Sequence, residues 1–222
     1  APGGDHSTFR ALRRDPAASD RFPQDVVELQ AYLAGRSRVP GVTATPGAGS
    51  HVPLYILGSS LFGAHLAATL GLPYAFASHF APAALHDAVA TYRREFQPSD
   101  QLAEPYVIAG VNAIASDDHD DALTQLTQVK RARVLMLLRQ SGQVPLDRTF
   151  TDDELDMLLD SPVGAQVASM THYTGVGTGA EVSEYISAFA ERTGADEVIV
   201  AHSSLHVAAR LRSVELLATA HH

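Results

Sequence analysis

The stretch that decides the fold covers residues 52–79 and reads VPLYILGSSLFGAHLAATLGLPYAFASH. Residues 53–57 and 74–77 are short and almost continuously apolar, which is typical of strands that are buried on both faces. Between them, residues 61–70 carry apolar side chains at helical spacing, and Gly71 ends this predicted helix. A strand, a helix and a second strand in this order predict a parallel α/β sheet or barrel.

Small and polar residues follow both strands, at the ends that face the ligand in parallel α/β folds. Gly58, Ser59 and Ser60 come after the first strand, and Ser78 and His79 come after the second. Serine hydroxyls at the start of a helix lie beside its free N–H groups, an arrangement that suits a phosphate. The alternative is that Ser59 or Ser60 is simply an N-cap. His79 either lines a ligand pocket or is a hydrogen-bonded structural histidine.

The rest of the chain extends this pattern. Residues 106–115 and 197–201 predict a third and a fourth strand, and residues 20–35 predict a helix with no strand before it. Capping patterns predict further helices in an insertion over residues 117–172. A (β/α)8 barrel needs eight strands and about 250 residues, so this order predicts only the second half of such a barrel. The chain is thus predicted to be one partial barrel domain, 1–222, ending in the tag remnant His221-His222.

A glycine-rich run and two histidines suggest further sites. Residues 175–179 read Gly-Val-Gly-Thr-Gly ahead of a predicted helix over 180–193. The run lacks dinucleotide-loop spacing and no strand is predicted before it, but the N–H groups of the helix start could hold a phosphate. His79 and His202 follow predicted strands, where barrel hydrolases bind metals. Further ligands of the right type are missing at the other strand ends, so no metal site is predicted.

Composition excludes several classes of function. The 222 residues are 45% hydrophobic and 18% charged, with a formal net charge of −9 and no cysteine. The negative charge argues against non-specific nucleic-acid binding, and the lack of cysteine excludes disulfides and thiolate chemistry. No segment approaches the ~18 apolar residues of a membrane helix, and no secretory signal is visible. We therefore expect a cytoplasmic protein that binds neither nucleic acid nor membranes.

Four blocks of the sequence resemble, in order, a known family. They read VPLYILGSSLFGAHLAATLGLPYAFASHFAP, EPYVIAGVNAIASDD, VGTGAEVSEYISAFAERTGADEVIVAH and ARLRSVELLA. They resemble the C-terminal two-thirds of the bacterial luciferase-like flavin-dependent monooxygenases, in particular the alkanal-monooxygenase-like branch. The resemblance implies a TIM barrel that uses reduced FMN and O2, in which a flavin C4a-peroxide attacks an aldehyde or another small organic substrate.

The resemblance also implies which residues form the site. The positions implied to bind the cofactor are Leu57, Gly58, Ser59, Ser60, Gly177, Thr178, Gly179, Ala1 and Pro2. Ser60 matches the serine that contacts the flavin phosphate. His79 is the predicted catalytic residue, near the isoalloxazine or the substrate.

Two departures from the family leave a second function open. The family's first four strands, and the Glu-His-His segment that supplies a catalytic histidine, have no match in these residues. Near the end, Ser204-Leu205-His206 stands where relatives often read Tyr-Asp-His. The alternative is a truncated or non-catalytic flavin-binding homologue within a larger assembly, and a metal hydrolase is a distant third. We expect a flavin reductase as partner, and a homo-oligomer such as a dimer, or a complementary N-terminal half, to cover the open sheet edges.

Overall fold

Two units of unequal size make up the chain, Ala1–Leu54 and Tyr55–His222. The computed structural model describes residues 6–13, 15, 20–79 and 81–220. The sequence predicted one partial barrel domain over all 222 residues, whereas the sheet belongs to the second unit alone. Within the described residues, no helix is both long and apolar enough to cross a membrane.

The first unit contains two helices among its described residues. Helix α1 covers His6–Ala11 and α2 covers Phe22–Leu33, which confirms the helix predicted over residues 20–35. Pro23 lies in the first turn of α2, where a missing N–H costs no helical hydrogen bond. Four residues singled out in the sequence lie outside the described part of the chain: Ala1, Pro2, His221 and His222.

The second unit is built on a parallel sheet, as the sequence predicts. The strands in its described part are β1 (Ile56–Gly58), β2 (Tyr74–Phe76), β3 (Val107–Ala115), β4 (Thr174–Gly177) and β5 (Glu197–His202). The helices are α3 (Leu61–Leu70), α4 (Leu85–Glu95), α5 (His119–Gln140), α6 (Asp152–Leu159), α7 (Pro162–Met170), α8 (Gly179–Thr193) and α9 (Val207–Ala220). All the strand pairs are parallel, which confirms the α/β class.

Strand β4 was not predicted, because the sequence pattern indicates no strand ahead of Thr178. Residues Thr174–Gly177 pair with the last four residues of β3, from Asn112 to Ala115. The segment is too short and too rich in glycine to show the apolar run that marks a buried strand. Strand β4 forms because it pairs with β3, whose backbone N–H and C=O groups beyond the end of β2 need partners.

Two strands, β2 and β4, pair one after the other with the same edge of β3. Ile108 and Ala109 pair with both β2 and β5, and Asn112 and Ala113 pair with both β4 and β5. A strand residue has one neighbour on each edge, so β5 occupies one edge while β2 and β4 share the other. Strand β3 has nine residues and β2 has three. The carboxyl end of β2 therefore stops part-way along β3, beside the start of β4.

The face of the sheet toward the helices carries an aromatic core. The ring centroids of Tyr74 and Tyr92 lie 5.5 Å apart, and both side chains are fully buried. The Tyr92 hydroxyl donates to the Leu72 carbonyl at 2.9 Å and accepts from the Tyr106 N–H at 3.1 Å. This one hydroxyl thus joins the segments that lead into β2 and β3, and it satisfies two backbone groups that burial would otherwise leave unpaired.

The opposite face of the sheet keeps large apolar side chains exposed. Leu57 pairs with Ala75, which pairs with Ile108, so these three residues share a face. Ile199 pairs with Gly110, two positions beyond Ile108, and therefore lies on the same face. Leu57 is 70% exposed and Ile199 is 54% exposed. Apolar strand residues on one open face indicate a surface that further residues normally cover.

The insertion after β3 packs as a helical layer. Arg131 of α5 donates to both oxygens of Asp156 and to Asp152 of α6, over 2.6–2.7 Å. Below this ion pair, Val134, Leu138 and Val167 form a buried apolar cluster that joins α5 to α7. The three helices of the insertion therefore form one layer held at its surface by Arg131.

Substitution Arg131→Ala should loosen the insertion without unfolding the sheet. It removes the donor to both carboxylates and leaves Asp152 and Asp156 close together with like charge. We expect faster amide hydrogen exchange in α6 and unchanged exchange in β3, measured by mass spectrometry. Arg148→Ala is the control, because its exposed contact with Glu154 spans 3.6 Å. Equal exchange in the two variants would show that Arg131 does not hold the layer.

Candidate functional site

The start of α3 brings together the predicted residues Leu57 to Ser60. Ser60 occupies the N-cap position with φ −150° and ψ 168°, yet its side chain makes no capping hydrogen bond. The Tyr74 hydroxyl donates to the Ser60 carbonyl at 3.0 Å and fixes this backbone. The first N–H groups of a helix have no acceptor within the helix. Ser60 thus occupies the predicted N-cap position, but its hydroxyl does not cap the helix. The predicted role of this hydroxyl in binding a phosphate therefore stays compatible with the structure.

Contacts made by His79 and by Ser78 fix His79 on β3. Its imidazole packs so closely on Gly110 that any side chain at position 110 would collide with Nδ1. The Ser78 hydroxyl donates to the Gly110 carbonyl at 2.6 Å, and the Asn112 amide Nδ2 donates to the His79 carbonyl at 2.5 Å. The loop after β2 is therefore fixed to Gly110 and Asn112 of β3, where the pairing with β2 has ended and the pairing with β4 begins.

Asn112 connects three segments at this end of the sheet. Its side chain accepts a hydrogen bond from the Ser203 hydroxyl at 2.8 Å, in addition to the bond to His79. Its backbone N–H donates to the Tyr173 carbonyl at 2.9 Å. Only 2% of the residue is exposed. A buried amide costs stability unless its donor and acceptor are paired, and here both have partners.

The sequence motifs do not single out Gly110 or Asn112. Both lie within VIAGVNAIA, the segment of β3, which otherwise contains only apolar residues. A glycine and an asparagine in a strand that is buried along its whole length are the signal that was available. Gly in a strand often marks a close approach, and a buried amide requires specific partners.

The surroundings of His79 favour a neutral imidazole. Burial is the largest cause that lowers the pKa of His79, and the positive charge of Arg133 lowers it further. Arg133 is itself partly buried and donates to the Met170 carbonyl at 3.1 Å. A neutral imidazole can both donate and accept a hydrogen bond. The neutral ring can therefore accept a proton or a hydrogen bond from a bound molecule.

The start of α8 differs from the start of α3, because it carries its own anion. Glu181 accepts from the Thr178 N–H at 2.7 Å, and the Thr178 hydroxyl accepts from the Glu181 N–H at 3.4 Å, which completes a capping box. His119 Nδ1 lies 3.0 Å from the Glu181 carboxylate. These contacts, the Thr178 amide first, lower the pKa of Glu181 to about 2. A phosphate at residues 177–179 would have to displace this carboxylate.

The predicted site residues therefore fall into separate places. Residues 57–60 lie at the end of β1, His79 lies on β3, and residues 177–179 lie at the end of β4. The described hydrogen bonds do not join residues 57–60 to residues 177–179. His202 faces the other side of the sheet, where its Nδ1 lies 2.6 Å from the Ser213 hydroxyl. Among the described residues, no three His, Cys, Asp or Glu side chains are close enough to hold a metal.

A parallel α/β sheet with polar groups collected at the carboxyl ends of its strands is the architecture of a ligand-binding α/β enzyme. Residues 26–197 match the family model for luciferase-like monooxygenase. The chain therefore belongs to the luciferase-like monooxygenase family, as its sequence blocks predict.

Two curated bacterial relatives extend over nearly the whole chain. It is 39% identical over 222 residues to a luciferase-like monooxygenase of Escherichia coli (strain K12). It is also 39% identical over 219 residues to the uncharacterized protein YvbT of Bacillus subtilis (strain 168). The alignments cover 97% and 98% of this chain, but 64% of each relative. The chain thus spans a little under two-thirds of the length of these relatives.

Solved structures share the fold. Apo-MsnO8 is 29% identical with a TM-score of 0.77, over 100% of this chain and 65% of that protein. The FMN-bound oxygenating constituent of 3,6-diketocamphane monooxygenase from Pseudomonas putida has 14% identity and a TM-score of 0.60, over 98% and 67%. The coenzyme F420 dependent tetrahydromethanopterin reductase of Methanopyrus kandleri has 18% identity and a TM-score of 0.58, over 96% and 70%. The last two similarities support the fold alone.

Substitution Gly110→Ala should displace His79. A methyl group at this position would overlap the imidazole, and overpacking of this kind costs about 1–3 kcal/mol. We expect the free energy of unfolding, measured by urea denaturation, to fall by that amount. Gly47→Ala is the control, because its added methyl would meet its nearest neighbours at 3.4 and 3.5 Å, an ordinary contact distance. A Gly110→Ala variant as stable as the control would contradict this seat for His79.

The pair His119 and Glu181 should make stability depend on pH. The contact with Glu181 raises the pKa of His119 above 6.5, so its stabilisation is complete below that pH and is lost as pH rises through the folded value. The Glu181 carboxylate, with its lowered pKa of about 2, stays charged throughout this range. The melting temperature of wild type should exceed that of His119→Gln at about pH 5.5, and the difference should shrink by about pH 9. A difference that grows with pH would contradict the assignment.

Proposed function

We propose that the chain forms part of a flavin-dependent monooxygenase that uses reduced FMN and O2 to oxidise an aldehyde-like or other small organic substrate. The observation that carries the proposal is the start of α3, where the Ser60 side chain makes no capping hydrogen bond and the first turn contains no acidic residue. Family membership supplies the chemistry that such an anion site would serve. The flavin phosphate is the proposed occupant.

The residues fit a phosphate better at α3 than at α8. The start of α3 has no acidic residue in its first turn, so that turn does not compensate the helix dipole. The start of α8 already holds the Glu181 carboxylate. We therefore assign the phosphate to Ser59 and Ser60, with Leu57 and Gly58 beneath the flavin. Gly177, Thr178 and Gly179 are proposed as a second contact that needs Glu181 to move.

FMN is proposed as the cofactor in preference to coenzyme F420. The FMN-bound neighbour is named as the oxygenating constituent of a monooxygenase, whereas the F420-dependent neighbour is named as a reductase. The family name of this chain favours the first chemistry. Reduced flavin, when bound, supplies two electrons to O2. With an aldehyde, one oxygen atom enters the product acid, the other leaves as water, and FMN is left oxidised.

His79 is proposed as the catalytic residue of this chain. It follows β2 at the same end of the sheet as Ser60, which follows β1. Burial and Arg133 lower its pKa, so the imidazole would enter the reaction neutral and able to accept a proton from a substrate. The helical layer of the insertion is proposed to keep water out of the site.

The four strands β1, β2, β3 and β5 are proposed to be the fifth to eighth strands of a (β/α)8 barrel. They neighbour one another in chain order, and among the described strands β1 and β5 each pair on one edge only. The face that would line the barrel exposes Leu57 and Ile199. The relatives are longer by about a third of their length, which would supply the remaining strands.

A second candidate is a truncated or non-catalytic flavin-binding homologue that acts within a larger assembly. The open face of the sheet, and the outer edges of β1 and β5 that pair with no other described strand, favour it, because a complementary N-terminal half or a second copy would cover them. A flavin reductase is the partner proposed for the enzyme, and a dimer is the proposed oligomer. Formation of the acid from a medium-chain aldehyde, with reduced FMN and O2 supplied, distinguishes the two candidates. Flavin binding without aldehyde-dependent acid formation would favour the second.

Substitution Ser60→Ala tests the phosphate site. It should weaken FMN binding by a few-fold to tens-fold, the scale of one charge-assisted hydrogen bond. Fluorescence titration with FMN and with riboflavin, which lacks the phosphate, should show the loss for FMN only. The helix should keep its stability, because the Ser60 side chain makes no capping bond.

Thr151→Ala is the matched variant for this test. It breaks the capping box of α6, so it should lower the melting temperature while FMN affinity stays near wild type. FMN affinity that is unchanged in Ser60→Ala, or reduced equally for riboflavin, would remove the phosphate role of α3.

A further inference from the structure

We propose that Asn112 is a positioning residue that fixes His79 on β3 and couples it to the loop after β5 through Ser203. The inference deepens the proposed function, since it concerns the residue proposed as catalytic. It assigns a role to a side chain that neither the motifs nor the strand pattern of the sequence single out.

The first half of the bridge is the bond from Asn112 to His79. The amide Nδ2 lies 2.5 Å from the His79 carbonyl, and the imidazole rests on Gly110, which faces the same side of β3 as Asn112. The Ser78 hydroxyl holds the preceding residue through the Gly110 carbonyl at 2.6 Å. Three contacts with one stretch of β3 thus fix the backbone and the ring of His79 together.

The second half is the bond from Ser203 to Asn112. The Ser203 hydroxyl lies 2.8 Å from Asn112 Oδ1 and 3.3 Å from the Ala201 carbonyl, so the amide is the nearer acceptor. The Ser203 N–H also donates to the Ala113 carbonyl at 3.0 Å. Backbone pairing places the Ser203 hydroxyl beside Asn112, and the hydroxyl in turn decides which end of the carboxamide faces His79.

This arrangement specifies an amide rather than a side chain that merely fills space. An apolar side chain of similar size would fill the position without the cost of burying polar atoms. A carboxamide supplies a donor toward a carbonyl and an acceptor toward a hydroxyl, and these are the two groups present. Arg133 is the charged group that acts on the His79 ring, and it lies on α5, outside the bridge.

Two adjacent serines give a controlled test. Ser203→Ala removes the donor to Asn112 and frees the carboxamide to turn, whereas Ser204→Ala removes a buried hydroxyl that has no hydrogen-bond partner among the described residues. The readouts are the titration of the His79 ring by NMR and the amide exchange of residues 78, 79 and 81. Neither readout needs flavin, substrate or turnover.

In Ser203→Ala, the His79 loop should open to water, so its pKa should rise toward the ordinary value and loop exchange should quicken about tenfold, the scale of one lost hydrogen bond. Ser204→Ala should match wild type in both readouts, and Ser203→Thr, which keeps the hydroxyl, should restore them. Asn112→Ala, if it folds, should reproduce Ser203→Ala. A His79 titration in Ser203→Ala that equals that of Ser204→Ala would overturn the inference. Failure of the wild-type chain to bind FMN would count against the proposed function and not against this inference, because neither readout uses FMN.

Discussion

The length of β3 is the constraint on which the second unit depends. Nine consecutive residues of this strand are buried, and its backbone groups must find partners on both edges. Strand β5 covers one edge, while β2 and β4 divide the other. The end of β2 is thereby placed beside the middle of β3, and the loop after β2 descends onto Gly110 and Asn112. The position of His79 on β3 follows from the difference in length between β2 and β3.

The two helix starts show how the same local geometry leads to different chemistry. At α8, Thr178 and Glu181 satisfy the first amides, and His119 adds a further contact. At α3, the N-cap side chain makes no hydrogen bond to those amides. A helix start that carries its own carboxylate is stabilised but closed to anions, whereas one without it is open to them. The proposal that a flavin phosphate binds at α3 depends on this contrast.

The sequence predicted the strand, helix and strand of residues 52–79 because continuous apolar runs and a helical apolar spacing are local signals. It missed β4, since the pairing of Thr174–Gly177 depends on a strand more than fifty residues earlier in the chain. The capping box of α8 was readable as Thr178 followed by Glu181 three residues later. The bridge through Asn112 was not readable, because His79 and Ser203 meet it only after β2, β3 and β5 have paired.

A crystal structure of the chain with bound FMN tests the central claim most directly, with the missing barrel strands supplied by the longer protein or by a second chain. The account predicts the flavin phosphate within hydrogen-bond distance of the Ser60 hydroxyl and of the first N–H groups of α3. A phosphate bound at Thr178 with α3 empty, or a complete barrel that takes up no flavin, would contradict it.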